Sequence, residues 1–223
     1  MITLFAVPRP FHGHYGIIQR NAIKSWTLLN PKPEIILLGT DEGTAEIAQE
    51  FGVQHVPSLE YNEKGRPRAD SMYKEAERVA KHPLVCIVNA DIILMNNFMW
   101  AVEQVASRRH PFLMVGQRFN LDVDQPLDFE SDWESDLRQS MVESGHMGPR
   151  TGEDYILSPR GFFGKIPPFV MGHSYMDGWL LYTARRKGAD LIDASRVVTA
   201  IHQTHDYSHI EKGPQGHVID PQT

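Results

Sequence analysis

The sequence predicts an α/β fold, a mostly parallel central sheet flanked by helices, and three observations carry that prediction. Short runs rich in Ile, Val and Leu alternate with amphipathic stretches of helical spacing, the succession that builds a parallel sheet covered on both faces. The run from Leu84 to Asn97, LVCIVNADIILMNN, begins as a strand suited to burial on both sides and breaks at Asn89-Ala90-Asp91. A carboxylate therefore stands where a core strand ends, and in open α/β sheets the carboxyl ends of the strands form the ligand crevice.

The elements follow in order. Residues 2–7 read as a first strand, stopped by Pro8 and Pro10, and the loop PRPFHGHYG leads into a helix over about 16–29. In it Ile18, Ala22, Trp26 and Leu29 recur at helical spacing, and Asn30-Pro31 ends it. A short strand at 35–38 precedes Gly39-Thr40-Asp41, a helix at 44–51 that Gly52 can close as a left-handed cap, and a third strand at 53–56. Asp70 is placed to cap a helix over 71–81 that buries Met72, Ala76, Val79 and Ala80. The central strand at 84–89 comes next. A helix near Asn97 and a strand at 112–115 follow it.

From Asp122 to Asp136 there are seven acidic residues and no Lys or Arg, interleaved with Leu127, Phe129, Trp133 and Leu137. This predicts a solvated acidic helix face with an apolar underside. The Gly- and Pro-rich stretch 148–168 predicts a loop-and-strand lid over the crevice. A helix at 175–187 carries Arg185, Arg186 and Lys187 in its last turn, where cations suit the macrodipole, and Gly188 closes it. Strands at 189–192 and 197–201 lead directly to His202, His205 and His209.

A chain of 223 residues with 41% hydrophobic residues can bury one substantial core, so a single domain over 1–223 is expected. The 22 basic residues against 28 acidic give a charge of −6, which argues against nucleic acid as the main partner. The sole cysteine, Cys86, lies in the apolar central run, so no disulfide forms within the chain and a reducing compartment fits. No stretch approaches the ~20 apolar residues that span a bilayer, so no transmembrane segment and a cytoplasmic location are expected.

A carboxylate beside a buried strand must be solvated, paired or bound to a cation. Asn89 and Asp91, two apart on an extended segment, present two oxygens on one side, which suits Mg²⁺ or Mn²⁺. Asn-x-Asp also starts many turns, and the triplet alone does not separate the two readings.

Taken together, the first strand and its loop, the second strand ending at Asp41, the segment Arg66-Pro67-Arg68-Ala69-Asp70 before a helix, and IVNADIIL resemble the GT-A (Rossmann-like) glycosyltransferases. A second match is SYMDGWLLYTARRKGADLI, which resembles that family's acidic residue opening a helix, then Leu, Arg, Gly and a strand. The resemblance implies an Asp-x-Asp motif with Asn89 in place of its first acid, leaving Asp91 as the metal ligand. It further implies a C-terminal histidine ligand, His202 or His205, and Asp177 as the base for an acceptor hydroxyl. On the donor side it implies nucleotide-sugar contacts from Pro8, Arg9, Asp41, Arg66, Arg68, Asp70, Asn89 and Ala90. Glu153 and Asp154 in TGEDY, near the lid, are expected to bind the acceptor.

The function so implied is metal-dependent transfer of a sugar from a nucleoside-diphosphate sugar to a carbohydrate or other hydroxyl acceptor, with Mn²⁺ or Mg²⁺ as cofactor. Residues 1–118 would form the nucleotide-sugar half, 119–210 an acceptor-side lobe in the C-terminal half, and 211–223 a tail. Two other readings stay open. A sugar nucleotidyltransferase shares the α/β sheet and the metal but commonly carries a Gly-rich loop after the first strand, and VPRPFHGHYG is a poor match. A metal-dependent hydrolase would use HQTHD, although such sites are helical and the preceding VVTAI reads as a strand.

Overall fold

The computed structural model describes residues 2–149, 153–171 and 175–205. Their elements run β1 (Ile2–Ala6), α1 (Gly13–Thr27), β2 (Glu34–Leu38), α2 (Thr44–Phe51), β3 (Gln54–Val56), α3 (Ala69–Val79), β4 (Leu84–Val88) and β5 (Ile92–Leu94). The second half continues with α4 (Asn97–Ala106), β6 (Phe112–Val115), β7 (Phe119–Leu121), α5 (Trp133–Glu143), β8 (His146–Met147), β9 (Tyr155–Pro159), α6 (Tyr175–Arg186), β10 (Asp190–Asp193) and β11 (Ala200–Gln203). The main sheet has seven strands in the order β10-β6-β9-β4-β1-β2-β3. All pair in parallel except β9, which lies antiparallel between β4 and β6.

Both faces of this sheet are covered, which is why its central strands β1 and β4 are buried throughout and apolar at every position but Thr3, whose hydroxyl donates to Glu34. On one face α1, α2 and α4 contribute Ala22, Trp26, Ile47, Phe98 and Val102. On the other, α3 and α6 contribute Met72, Ala76, Leu180 and Ala184. A second sheet, β5-β11-β7-β8, continues from the end of β4 and packs Ile93, Leu121 and Ile201 against Leu137 of α5. Among the described residues no helix is long and apolar enough to cross a membrane.

Three local expectations are corrected. The stretch 148–168 is not a lid: its middle is β9, whose Tyr155, Ile156 and Leu157 are buried in the centre of the sheet. The strand expected in this stretch is present, but it is inserted in the sheet and does not cover the crevice. Second, α3 begins at Ala69 with Arg68 in the N-cap position and no side-chain cap, and Asp70 sits inside the first turn. Third, the acidic stretch is helical only from Trp133, although its acids are mostly exposed while Leu127, Phe129, Trp133 and Leu137 turn inward. Gly52 does close α2 in the left-handed region, at φ 63°.

Candidate active site

The site is built where β4 ends. After Val88 the chain turns: the Ile92 N–H donates to the Asn89 carbonyl at 3.1 Å, so, of the two arrangements open to the triplet, residues 89–91 take the turn and not the extended one. Asn89 and Asp91 consequently diverge. The Asn89 side chain donates to Asp154 Oδ1 at 2.9 Å, and its backbone N–H donates to the Asp154 carbonyl, also at 2.9 Å. Asp91 faces the end of β11 instead.

Strand pairing explains that second placement. β11 runs antiparallel to β5 with His202 opposite Ile92, which brings His202 Nε2 to 3.6 Å from Asp91 Oδ2. His205, just past the strand, approaches the same oxygen at 3.1 Å through its Nε2. Between them Gln203 turns into the core, donating to the carbonyls of Asp91 and Ile18 and accepting from Asn21. Both imidazoles are 5% exposed and the Asp91 side chain 18% exposed. One ligand atom from each of Asp91, His202 and His205 lies within 4.8 Å of the others, so these side chains form a triad of metal-ligating type.

The electrostatics favour a neutral imidazole beside an ionised acid. Burial pushes His202 down to about 4 against the pull of Asp91, so at neutral pH it is uncharged with a lone pair to offer. Burial works to raise Asp91, but the His205 hydrogen bond and the positive groups around it hold the carboxyl below its ordinary range. Asp91 Oδ1 and His202 Nδ1 are buried with no hydrogen-bond partner among the described residues. An orphaned carboxylate oxygen costs on the order of 1–3 kcal/mol or more. A divalent cation would remove that cost, and a carboxylate with two imidazoles is a donor set that Mn²⁺ accepts.

On the far side of the triad lies a cluster of acids. Asp154, whose side chain is 4% exposed, accepts from Arg118 at 2.6 Å on the oxygen that Asn89 already uses. Through Oδ1 Asp154 fixes the turn at Asn89, while its Oδ2 is buried with no hydrogen-bond partner among the described residues. Asp177 stands in the first turn of α6. Burial, with the nearby charges of Glu153 and Asp154, pushes it up to about 7. Burial raises Glu153 as well.

Residues expected on the donor side divide in two. Arg9 is exposed past β1, on a loop held by reciprocal hydrogen bonds between its backbone and the Gln19 side chain at 2.7 and 2.9 Å. The same loop is wedged by Phe11: a Cβ on Gly43, whose φ is +86°, would lie 2.8 Å from the Phe11 Cβ. Asp41, three residues past β2, is raised by burial against the charge of Arg9. Pro8 and Ala90 are buried, and Arg66 is half-buried with its N–H on the Asn62 side chain. Arg68 is different. Its guanidinium is paired with Asp70 at 2.7 and 3.2 Å and with Glu60 at 2.9 Å, so a donor phosphate would have to compete with these two acids for it. His209 lies outside the described residues.

Arg118, Gln203 and Tyr15 belong to the site without having been expected there. Gln203 was adjacent to a suspected ligand, and its place in a strand of alternating orientation was the available signal. Arg118, a lone cation before a three-residue strand, gave none.

Among solved structures, glucosyl-3-phosphoglycerate synthase from Mycobacterium tuberculosis, in complex with Mn²⁺, UDP and phosphoglyceric acid, is similar over 92% of this chain and 71% of its own, at 15% identity and a TM-score of 0.53. TarS from S. aureus, in complex with UDP-GlcNAc, matches over 94% and 60% at 10% identity and a TM-score of 0.63. The chain has the GT-A fold. A third GT-A structure, the mannosyltransferase PcManGT from Pyrobaculum calidifontis with GDP-Man and Mn²⁺, matches over 90% and 56% at 14% identity and a TM-score of 0.53. At these identities the likeness is one of fold, and the chain spans well under the full length of each GT-A neighbour. No protein-family model and no curated protein sequence matches it.

Proposed function

We propose that the chain is a metal-dependent glycosyltransferase that moves a sugar from a nucleoside-diphosphate sugar to a hydroxyl acceptor. One observation carries this reading: at the carboxyl end of a central GT-A strand, Asp91, His202 and His205 converge with an unpartnered buried carboxylate oxygen. The GT-A neighbours named above were solved with UDP, UDP-GlcNAc or GDP-Man, two of them with Mn²⁺, which supports the same reading. Held by Asp91, His202 and His205, a divalent ion would supply positive charge against the diphosphate as it departs.

The chain's own residues do the rest. Arg9 and Asp41 are suited to contact the nucleoside, and Arg66, in the loop before α3, to contact the donor diphosphate. Asp177, its carboxyl poised near neutral pH, accepts the proton of the acceptor hydroxyl. Glu153 beside it is suited to hold the acceptor. Asp154 and Arg118 fix the turn that aims Asp91.

The test is incubation of the full chain with UDP- and GDP-sugars, with and without Mn²⁺, following release of nucleoside diphosphate. Expected is Mn²⁺-dependent release that Asp91→Ala abolishes, and transfer to an acceptor that Asp177→Asn lowers by roughly 10² to 10⁴ while donor binding persists. Formation of a nucleotide sugar from a sugar phosphate, with pyrophosphate released, would replace this reading by a nucleotidyltransferase. A chain that neither binds nor cleaves any nucleotide sugar refutes it.

A further inference from the structure

The first turn of α1 is tied to the chain's other end. The His14 Nε2–H donates to the Thr204 carbonyl at 3.0 Å, and Tyr15 Oη lies 3.4 Å from His205 Nδ1 with the two rings 5.2 Å apart. The Arg9 guanidinium is 5.2 Å from the centre of the Tyr15 ring. His205 is thus contacted at both ring nitrogens, Tyr15 on Nδ1 and Asp91 Oδ2 on Nε2.

These partners determine where the imidazole proton sits. A carboxylate only accepts, so with the ring neutral Nε2 carries the proton and donates it to Asp91, while Nδ1 is a lone pair that accepts from the Tyr15 hydroxyl. Ligating a cation through Nε2 requires the opposite tautomer, with the proton on Nδ1 and an acceptor facing it. A guanidinium or ammonium at that position could only donate, and a carbonyl could only accept. A phenolic hydroxyl does both.

We propose that Tyr15 is a positioning residue whose hydroxyl reverses its hydrogen bond to His205, so that the imidazole can exchange Asp91 for a divalent cation without leaving its place. The Nε2 proton is given up to solvent water and one proton is taken up from solvent water at Nδ1, so proton number balances and the ring stays neutral. The Tyr15 hydroxyl turns about its C–O bond from donor to acceptor, and Asp91 Oδ2 is released to act as a ligand. His14 holds the Thr204 carbonyl, which keeps the backbone carrying His205 in register during the exchange. The inference rests on the metal reading above and goes beyond it in giving a role to a residue outside the ligand set.

Mn²⁺ titrations of the full chain without donor, followed by the EPR signal of free Mn²⁺, test it in the wild type, His205→Ala and Tyr15→Phe. The Phe variant keeps the ring against His205 and removes only the hydroxyl. Expected is Mn²⁺ binding by the wild type, its loss in His205→Ala, and a roughly ten- to hundredfold weaker affinity in Tyr15→Phe with an unchanged metal-free unfolding temperature. Nitrogen-15 NMR of the histidine-labelled wild type should show the His205 proton on Nε2 without metal and on Nδ1 with Mg²⁺. Wild-type affinity in Tyr15→Phe alongside a defective His205→Ala overturns the role of Tyr15 and leaves the metal reading standing. A His205 proton that stays on Nε2 with metal bound also overturns that role. Absence of Mn²⁺ binding in the wild type overturns both.

Discussion

Arg118 and Asp154 form a 2.6 Å ion pair with side chains only 16% and 4% exposed, and Asn89 donates to the same carboxylate oxygen. The pair joins β9 in the main sheet to the segment entering the second sheet, at the turn from which Asp91 projects. Arg118 acts electrostatically on Asp91 and His202, and Asp154 on Asp177.

Breaking that pair from one side leaves a buried charge without compensation, which typically costs ~3–5 kcal/mol. Arg118→Met should therefore lower the urea midpoint sharply, and Arg118→Met combined with Asp154→Leu should recover part of the loss. A single variant as stable as the wild type would mean the pair is solvated and does not fix the turn.

Asp177 gives stability a pH dependence of predictable sign. Its folded-state pKa, about 7, exceeds the ~3.9 of an unperturbed Asp, so between those values the folded state holds a proton that the unfolded chain releases. Stability therefore falls as pH rises from about 4 to 7 on account of this group. Asp177→Asn cannot ionise and should gain on the wild type between pH 5 and pH 8, as read from urea midpoints at both values. A difference independent of pH would contradict the raised pKa.

Gly116 tests the close approach behind the site. A Cβ there would stand 2.0 Å from Tyr155 Oη and 2.9 Å from its Cζ, and Tyr155 is wholly buried. Gly116→Ala should destabilise by ~1–3 kcal/mol through overpacking, and adding Tyr155→Phe should relieve part of it by removing the nearer atom. Thermal unfolding of the single and double variants decides it; no rescue would place the strain elsewhere.

Asp91→Ala should erase any rise in unfolding temperature that Mn²⁺ gives the wild type, since a ligand that binds only the native state stabilises by mass action. The measurement is a thermal melt across Mn²⁺ concentration, and an equal rise in the variant would remove Asp91 from the metal site.

The sequence made the parallel half of the fold legible because each of its strands is a short apolar run between helices of clear period, as with Leu84–Val88 before the polar turn. Asp91, His202 and His205 stood out because residues of metal-ligating type followed strands. Their convergence did not, since it depends on β11 pairing with β5 across about a hundred residues. The partners of Arg68 were not legible for a related reason: Asp70 and Glu60 are ordinary surface acids in the sequence, and only the fold brings Glu60 alongside. That the stretch 148–168 holds a strand was legible, but its antiparallel insertion between β4 and β6 was not, because a strand buried on both faces has no periodicity that says where it pairs.

That antiparallel insertion also shapes how the chain can be made. β4 pairs with β1 as soon as both exist, but its other edge waits for β9, about 70 residues further along. At ~5–20 residues per second of synthesis, an unpaired edge of LVCIV stands open for roughly 4–14 seconds on the ribosome. Such an edge is a template for pairing with any other exposed strand. Nascent chains of this protein are thus most vulnerable to aggregation in the interval between residues 88 and 159, and a chaperone that shields extended apolar segments would act there.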